Sequence, residues 1–427
     1  MRYGFTMLWL LTMACNDTDP PPATDTDTTD TTDAAVPTAP TWHADVAPII
    51  TASCAGCHSE GAIGGFSLTT MAEVEAWSQA VYVAVESGTM PPWLAADDCS
   101  TYQQDFSLSS AEVQTVLDWI DGGMPEGDPD AALPIETWRP AALDRVDLTL
   151  EMPISYTPKQ APDDYRCFVM EWPYEETVWV TGYEVVPGND TVVHHVIPFL
   201  ISPENAEEYR QLDAADSEEG YTCYGSPGGS ITTLTTSRWL GAWAPGGGAS
   251  TTPAGTGLEV KPGSLVVMQV HYFIEAEPSA DLSTLNLRIE SEEQQWADVQ
   301  PWTNPIWLAG VGMDIPANTE GVTHSFSYTT ESRFNINSAM LHMHNLGVSG
   351  RLSVLHTDGS ETCLLDIPQW DFNWQRDYWL TEPYTIEPGE TLSLTCTWDN
   401  PTDADIAWGD GTGDEMCLGI TTISSTP

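Results

Sequence analysis

The spacing of apolar residues changes along this chain, from a helical period near the beginning to an alternating one later. Met71–Glu86 has apolar side chains every three to four positions, as on one face of a helix. Ser109 precedes a second stretch of this kind, from Val113 to Ile120, and a hydroxyl at that place is typical of a helix cap. The two stretches predict a small all-α domain.

Beyond about residue 140 the chain consists of short runs rich in Val, Ile, Thr, Tyr and Trp, separated by turn residues. Clear examples are Val178–Val186, Leu265–Phe273, Ser338–His344 and Thr391–Trp398. Such runs recur too widely for one hairpin, so they predict two all-β sandwich domains. A break near Pro301–Pro305 is the predicted boundary between them.

Composition completes this division of the 427 residues. Residues 16–40 are almost entirely Asp, Thr, Pro and Ala, which cannot bury enough apolar surface to fold and therefore predict a disordered tether. The predicted order is 1–15 signal sequence, 16–40 tether, 41–130 helical domain, 131–145 linker, 146–300 first sandwich and 301–427 second sandwich. The formal net charge of −51 repels phosphate backbones, so no nucleic-acid partner is expected.

The first fifteen residues indicate export. Arg2 precedes an apolar run from Phe5 to Ala14, and Cys15 follows it, as in a short lipoprotein signal. We therefore expect a lipid anchor on Cys15 and a place in the cell envelope, on an outer membrane facing the periplasm or the exterior. Thr12 stands where the usual motif has a Leu-like residue, so a plain secretory signal is the alternative.

A haem-attachment motif lies in the helical region. In Cys54-Ala55-Gly56-Cys57-His58 the two thiols are spaced to bond the vinyl groups of one haem c, and the histidine that follows would be the proximal iron ligand. A structural disulfide or a zinc site is the alternative. Met90 lies in a proline-rich loop before the last helix, where class I cytochromes place the axial methionine, and Met124 after that helix is the competing candidate.

The β region contains six side chains suited to copper binding. They are His194, His195, His271, His342, His344 and Met416, and Met343 stands between two of the histidines. Imidazole binds copper in both oxidation states and a thioether stabilises Cu(I). His342 and His344, two apart on a predicted strand, would share one face. The adjacent His194 and His195 would point to opposite faces of a regular strand, so joint ligation requires a bulge, a twist or a strand end.

In chain order these segments resemble the copper type II, ascorbate-dependent monooxygenases, the family of peptidylglycine α-hydroxylating and dopamine β-monooxygenases. The matching segments are Val193-His194-His195-Val196, Gln269-Val270-His271-Tyr272, Leu341-His342-Met343-His344 and Asp414-Glu415-Met416-Cys417. The resemblance implies two copper ions. His194, His195 and His271 would hold the electron-transfer copper, and His342, His344 and Met416 the catalytic one.

The resemblance also implies geometry. Each sandwich would be a separate domain, and the coppers would face each other across a solvent-filled cleft. It further implies the disulfides Cys396–Cys417 and Cys167–Cys223, and leaves open whether Cys99 and Cys363 pair.

Two positions depart from the peptidylglycine hydroxylase pattern. Met340 and Ile420 stand where that enzyme has an Arg and a Tyr for the substrate carboxylate, which argues against peptide amidation. No basic residue near the motifs offers a site for an anion, so a neutral or cationic substrate is favoured.

Together the motifs predict an exported monooxygenase that hydroxylates a C–H bond of a small organic substrate with O2. Ascorbate or a cytochrome would be the external electron donor, and haem c would relay the electrons. One alternative is a surface-tethered electron-transfer or copper-binding protein without a substrate of its own. Another is a haem-based sensor on a β scaffold. His43 could compete as an axial haem ligand, but a surface or helix-entry position is favoured for it. His324 and His356 are predicted to be surface or packing residues.

Overall fold

A computed structural model describes residues 39–60, 62, 64–132, 140–230, 236–245, 247–274 and 277–426. The predicted signal sequence, Cys15 and nearly all of the predicted tether lie outside these ranges. Within them, no helix combines the length and the apolar character that a membrane crossing needs.

Three helices near the N-terminus pack around one small core. They are α1 (Ala47–Ser53), α2 (Met71–Glu86) and α3 (Ser110–Asp121), and a π-helical turn (Trp42–Val46) precedes them. Capping boxes formed by Thr70 with Glu73 and by Ser109 with Glu112 start α2 and α3, because each pair satisfies backbone N–H groups that have no partner within the helix. Both helices predicted from periodicity are therefore confirmed.

The rest of the described chain is mainly β-structure. Its helical elements are α4 (Ala206–Ala215) and the 3-10 turns Pro129–Ala131 and Trp307–Ala309. The strands of the first half are β1 (Leu148–Glu151), β2 (Asp163–Glu171), β3 (Val178–Val186), β4 (Val193–Ile201), β5 (Tyr221–Thr222), β6 (Arg238–Trp239), β7 (Ser250–Thr251), β8 (Thr256–Val260), β9 (Leu265–Phe273) and β10 (Thr284–Glu290). Those of the second half are β11 (Gln295–Trp302), β12 (Thr319–Thr329), β13 (Phe334–His342), β14 (Gly347–Leu355), β15 (Glu361–Ile367), β16 (Tyr378–Ile386), β17 (Thr391–Asn400) and β18 (Leu418–Ser424).

The strands form two sandwiches. In the first, β1, β10, β3 and β8 pack over β4, β9 and β2, and side chains such as Val180, Val196, Leu258 and Met268 fill the space between them. In the second, β16, β13 and β18 pack over the four-stranded sheet β12-β17-β14-β15. Burial alternates strictly along β17, as expected for a strand with one face on a core.

The two sandwiches share a continuous sheet. β11 pairs with β18 from Ala297↔Ser424 to Trp302↔Gly419, and it also contacts β6 of the first sandwich through Val299↔Trp239. Pro301, which the sequence places at the boundary, lies within β11. The chain therefore passes from one sandwich to the other without the break expected there.

The segment between α2 and α3 is attached to the second sandwich. Cys99 and Cys363 form a disulfide, and Tyr102 forms a β-bridge with Leu380. The backbone N–H of Ala96 donates to the carbonyl of Asp366 at 2.8 Å, and buried Tyr102 belongs to the core of that sandwich. The pairing of Cys99 and Cys363, left open by the sequence, thus ties the helical region to the β region.

Candidate metal centres

The first cluster consists of three imidazoles on two neighbouring strands. β4 carries His194 and His195, and β9 carries His271 opposite His195. The register shifts between Val193 and His195, which is the irregularity that joint ligation by adjacent histidines requires. The Nδ1 atom of His195 lies 3.4 Å from that of His194 and 3.3 Å from that of His271.

These atoms have the chemistry of a metal site. In the described part of the chain, this is the one group of three or more His, Cys, Asp or Glu ligand atoms that all lie within 4.8 Å of one another. Burial lowers the pKa of His194 to about 4, and burial and the neighbouring imidazoles keep the pKa of His195 and His271 well below the usual value. The rings are therefore neutral near pH 7, as metal ligation requires.

Strand β2 holds this cluster in place. The Nε2–H of His271 donates to Oδ1 of Asp163 at 2.9 Å, which leaves the lone pair of Nδ1 free to bind a metal. The ring of Tyr165 stacks on that of His271, with 4.1 Å between centroids and 2° between planes. Sequence reasoning missed both residues, because β2 pairs with β9 across about a hundred residues of chain.

The second set begins at the end of β13. His342 is the last residue of this strand and His344 lies beyond it, so the predicted strand Ser338–His344 ends two residues early. The ring centroids of His342 and His344 are 5.1 Å apart. The Nδ1–H of His342 donates to Oε1 of Gln375 at 2.6 Å, and that of His344 to the carbonyl of Asp414 at 3.1 Å. Both Nε2 atoms therefore remain available to a metal.

Burial gives these two imidazoles a low affinity for protons. It lowers the pKa of His342 to about 3 and that of His344 to about 4. Gln375 donates its own Nε2–H to the carbonyl of Phe372 at 2.9 Å, which fixes the amide so that its oxygen faces His342. No sequence motif pointed to Gln375.

Met416 lies on the loop before β18. Leu418 pairs with His342 in the sheet, and Met416 lines the same cavity as His342 and His344. The neighbouring Glu415 is fully buried and accepts hydrogen bonds from the backbone of His344 at 2.8 Å and from Nε1 of Trp398 at 2.9 Å. The Cys396–Cys417 disulfide fixes the end of this loop, as the resemblance implied, and Cys167–Cys223 is confirmed as well.

One cavity of about 850 Å³ receives side chains from both sets. Its walls include His195 of the first cluster and His342, His344 and Met416 of the second. The ring centroids of His195 and His342 lie only 6.1 Å apart. The two sets thus face each other across one cavity, and the ring of Phe372 stacks on that of His194 beside it.

The remaining cavity wall is mostly aromatic and apolar. Its aromatic side chains are Tyr165, Phe199, Tyr224, Trp239, Trp243 and Trp408. Met340 and Ile420 also line it, so the two positions that depart from the peptidylglycine hydroxylase pattern face the cavity. Arg238 is a basic lining residue that sequence reasoning missed. It forms an ion pair with Asp298, with 3.2 Å between Nη2 and Oδ1.

The haem motif follows α1 directly. Cys54 and Cys57 are not joined to each other, whereas the other described cysteines form three disulfides, so the structural-disulfide alternative is wrong. The backbone of Gly64 packs on His58, where a Cβ would lie 2.5 Å from Nδ1, and the ring of Phe66 lies 4.4 Å from that of His58. Two free thiols beside a closely packed imidazole fit the donor set of haem c.

Neither methionine candidate is brought into contact with His58 by a described interaction. Met90 is half-buried in the loop after α2, and Met124 packs against the core of the helical region. The choice of axial ligand therefore stays a prediction. His43 pairs with Glu126, His356 with Glu390, and His324 with the carbonyl of Asp314, in agreement with packing or surface roles.

Comparison with known proteins gives two adjoining family matches. Residues 148–277 match the N-terminal domain of the copper type II ascorbate-dependent monooxygenases, and residues 307–420 match the C-terminal domain. The two matches cover more than half of the chain and include every predicted copper ligand.

Relatives and solved structures add the following. DBH-like monooxygenase protein 1 of Homo sapiens is 24% identical over 272 residues, which are 60% of this chain and 43% of the human protein. The Gallus gallus protein of that name is 24% identical over 301 residues, 65% of this chain and 47% of its own length. The chain thus spans under half the length of these relatives.

PNGase F, a glycosylasparaginase from Flavobacterium meningosepticum, aligns with this chain at 10% identity, over 66% of this chain and 96% of its own. The TM-score of 0.27 is too low to bear on fold or function. The two family matches assign the chain to the copper type II ascorbate-dependent monooxygenases.

Proposed function

We propose that this chain is an exported monooxygenase that hydroxylates a C–H bond of a small organic substrate with O2, using two copper ions and one covalently bound haem c. An external donor supplies the electrons, and the haem relays them. The observation that carries the proposal is the shared cavity, into which His195 of one cluster and His342, His344 and Met416 of the other project.

The protein's part is to hold and orient the donor atoms. His194, His195 and His271 offer converging Nδ1 atoms to one copper, while His342, His344 and Met416 offer two Nε2 atoms and a thioether to the other. Copper, when bound, supplies the one-electron chemistry with O2. Asp163 and Gln375 fix the tautomers of their histidine partners, and such partners orient metal ligands.

Met416 is the most specific test of the copper assignment. Met416→Leu keeps the volume but removes the thioether, so it is expected to lower copper occupancy from two toward one and to abolish substrate-dependent oxygen uptake. Met343→Leu is the matched control, because Met343 lies between His342 and His344 but packs into the core of the second sandwich. Metal analysis and an oxygen electrode with a panel of organic substrates provide the readouts.

That experiment also separates the competing functions. Two coppers and a cycling haem without oxygen uptake on any substrate would favour an electron-transfer protein. Unchanged copper content in His342→Ala would favour a haem-based sensor.

The haem proposal assigns thioether bonds to Cys54 and Cys57, and iron ligation to His58 and Met90. Haem c supplies one-electron transfer when bound. Met90→Ala is expected to abolish the methionine–iron charge-transfer band of the oxidised protein. Persistence of that band, together with its loss in Met124→Ala, would transfer the role to Met124.

The cavity favours a neutral or cationic substrate. Its aromatic wall suits an apolar or aromatic group, and Asp298 already balances the charge of Arg238. Asp410 adds a carboxylate to the lining. Matched neutral, cationic and anionic versions of one aromatic compound should therefore differ in KM, with the anionic version the poorest.

We also propose a location in the cell envelope, with a lipid on Cys15 as the anchor. Three disulfides support an oxidising compartment outside the cytoplasm. Cys15→Ser should move the protein from the membrane fraction to the soluble one. A wild-type protein that is already soluble would favour the plain secretory signal.

A further inference from the structure

The short segment from Phe372 to Tyr378 contacts both copper-ligand sets and the segment between α2 and α3. At one end, the ring of Phe372 stacks on that of His194 with 4.6 Å between centroids and 18° between planes. In its middle, Gln375 accepts a hydrogen bond from His342 at 2.6 Å. This connection is independent of the ligands themselves.

The other end of the segment faces the helical region. The guanidinium carbon of Arg376 lies 4.9 Å from the ring centroid of Trp93 and 4.8 Å from that of Phe106, both in the segment between α2 and α3. Trp93 is three residues from Met90, the predicted axial ligand. Tyr378 lies 5.1 Å from Trp93, and its hydroxyl accepts a hydrogen bond from the backbone of Leu94 at 3.2 Å.

Because Gln375 and Arg376 are consecutive, a single peptide bond separates the residue that contacts His342 from the residue that contacts Trp93.

We propose that the Phe372–Tyr378 segment is the electron route between the haem motif and the copper ligands, with Arg376 and Gln375 as its central residues. This inference rests on the proposed function. The step transfers one electron: the ferrous iron is oxidised to ferric as Cu(II) is reduced to Cu(I), and an external one-electron donor then reduces the iron again.

The contacts suit this role because electron tunnelling weakens steeply with distance and passes better through bonds and hydrogen bonds than through open gaps. From Trp93 to His342 the route consists of one cation–π contact, a stretch of covalent chain and one short hydrogen bond. The Cys99–Cys363 disulfide and the Tyr102–Leu380 bridge attach the segment between α2 and α3 to the second sandwich. The distance between Trp93 and Arg376 is therefore fixed by the fold.

The test uses oxidised full-length holoprotein without O2 or substrate. A photoexcited flavin delivers less than one electron per protein to the haem, and absorbance then follows haem reoxidation while freeze-quench EPR follows the loss of Cu(II). Arg376→Met and Gln375→Leu are expected to lose the fast phase of haem reoxidation. Asn373→Ser, an exposed change in the same segment, should retain it.

A second measurement excludes a merely structural effect. Ascorbate can reduce Cu(II) without the haem, so the rate of that direct reduction should be unchanged in Arg376→Met, although haem-dependent reduction is lost. Slowing of both rates in that variant would indicate damage to the copper site and would overturn the assigned route. Arg376→Met also keeps the test decisive if Gln375→Leu loses copper.

The failures are distinguishable. If wild-type protein lacks haem, or if its reduced haem never reduces copper, the relay in the proposed function is wrong and the route fails with it. If wild-type protein transfers the electron and both variants with full haem and copper transfer it equally fast, only the route is wrong.

Discussion

Replacing Asp163 by Asn should weaken copper binding at the first cluster. The carboxylate accepts a hydrogen bond from Nε2 of His271 at 2.9 Å, and its other oxygen accepts one from the hydroxyl of Thr412 at 2.7 Å. Thr412 belongs to the loop that carries Met416. Asp163 therefore holds a ligand of one set and the backbone near a ligand of the other.

The size of the effect follows from the bond that is changed. A hydrogen bond to a charged group contributes about 1.5–3 kcal/mol, and loss of such a partner typically weakens metal binding about 10–100-fold. The two estimates agree, since a tenfold change corresponds to about 1.4 kcal/mol. Asn at this position keeps the size and one acceptor oxygen but loses the charge, so we expect about a tenfold loss in affinity, toward the lower end of the range.

The assay is competition for copper between the purified protein and a chromophoric chelator, with the two sites resolved by their EPR signals. Asp147→Asn is the control for loss of one negative charge, because Asp147 pairs with Arg145 away from the cavity. Thr412→Val removes the hydroxyl hydrogen bond to Asp163 and leaves the one from the backbone N–H of Thr412 at 3.4 Å, so it should loosen the Met416 loop and affect the second site more than the first. Unchanged copper affinity in Asp163→Asn would refute the role given to this carboxylate.

Three further predictions concern stability. Cys99→Ser with Cys363→Ser opens a disulfide that spans 264 residues, for which the chain-entropy model gives about 5.6 kcal/mol. The urea midpoint of the second sandwich should therefore fall, and an unchanged midpoint would contradict the disulfide. Glu415→Leu leaves the backbone N–H of His344 and the indole of Trp398 without an acceptor, with an expected loss of about 2–4 kcal/mol in urea unfolding, whereas retained stability would mean that water replaces the carboxylate. Burial raises the pKa of Asp377 to about 6. Because the folded protein holds this proton more tightly than the unfolded chain, the free energy of unfolding should decline as the pH rises from about 4 to about 6. The decline is at most about 3 kcal/mol, and it is smaller because the side chain is partly exposed. Asp377→Asn should flatten that decline, and an identical pH profile would exclude the effect.

Local patterns predicted the elements well. α2 begins and ends at the predicted residues, and the cap at Ser109 and the strands β3 and β9 also agree. These features depend on the periodicity of a single segment and on the residues beside it. The bulge before His195 was also predictable, because two adjacent imidazoles cannot otherwise reach the same metal.

Long-range pairings limited the prediction of the site. The ligands themselves came from a resemblance that specifies residue types in order along the chain. Asp163 and Gln375 came from neither source, because a polar residue on a strand or in a loop carries no sign of the partner that it will meet. Gln375 meets His342 across 33 residues, and Asp163 meets Thr412 across 249.

The short distance between the two ligand sets is built into the sheet. β11 pairs with β18 of the second sandwich from Ala297↔Ser424 to Trp302↔Gly419, and with β6 and β8 of the first through Val299↔Trp239 and Gln295↔Thr256. Separating the sandwiches as rigid bodies would break contacts of this continuous sheet, each backbone hydrogen bond contributing about 1 kcal/mol. The hydrogen bond of Asp163 to Thr412 adds a closing contact beside the cavity. The sheet pairing therefore helps to hold the rings of His195 and His342 6.1 Å apart, so that His195, His342, His344 and Met416 line one cavity.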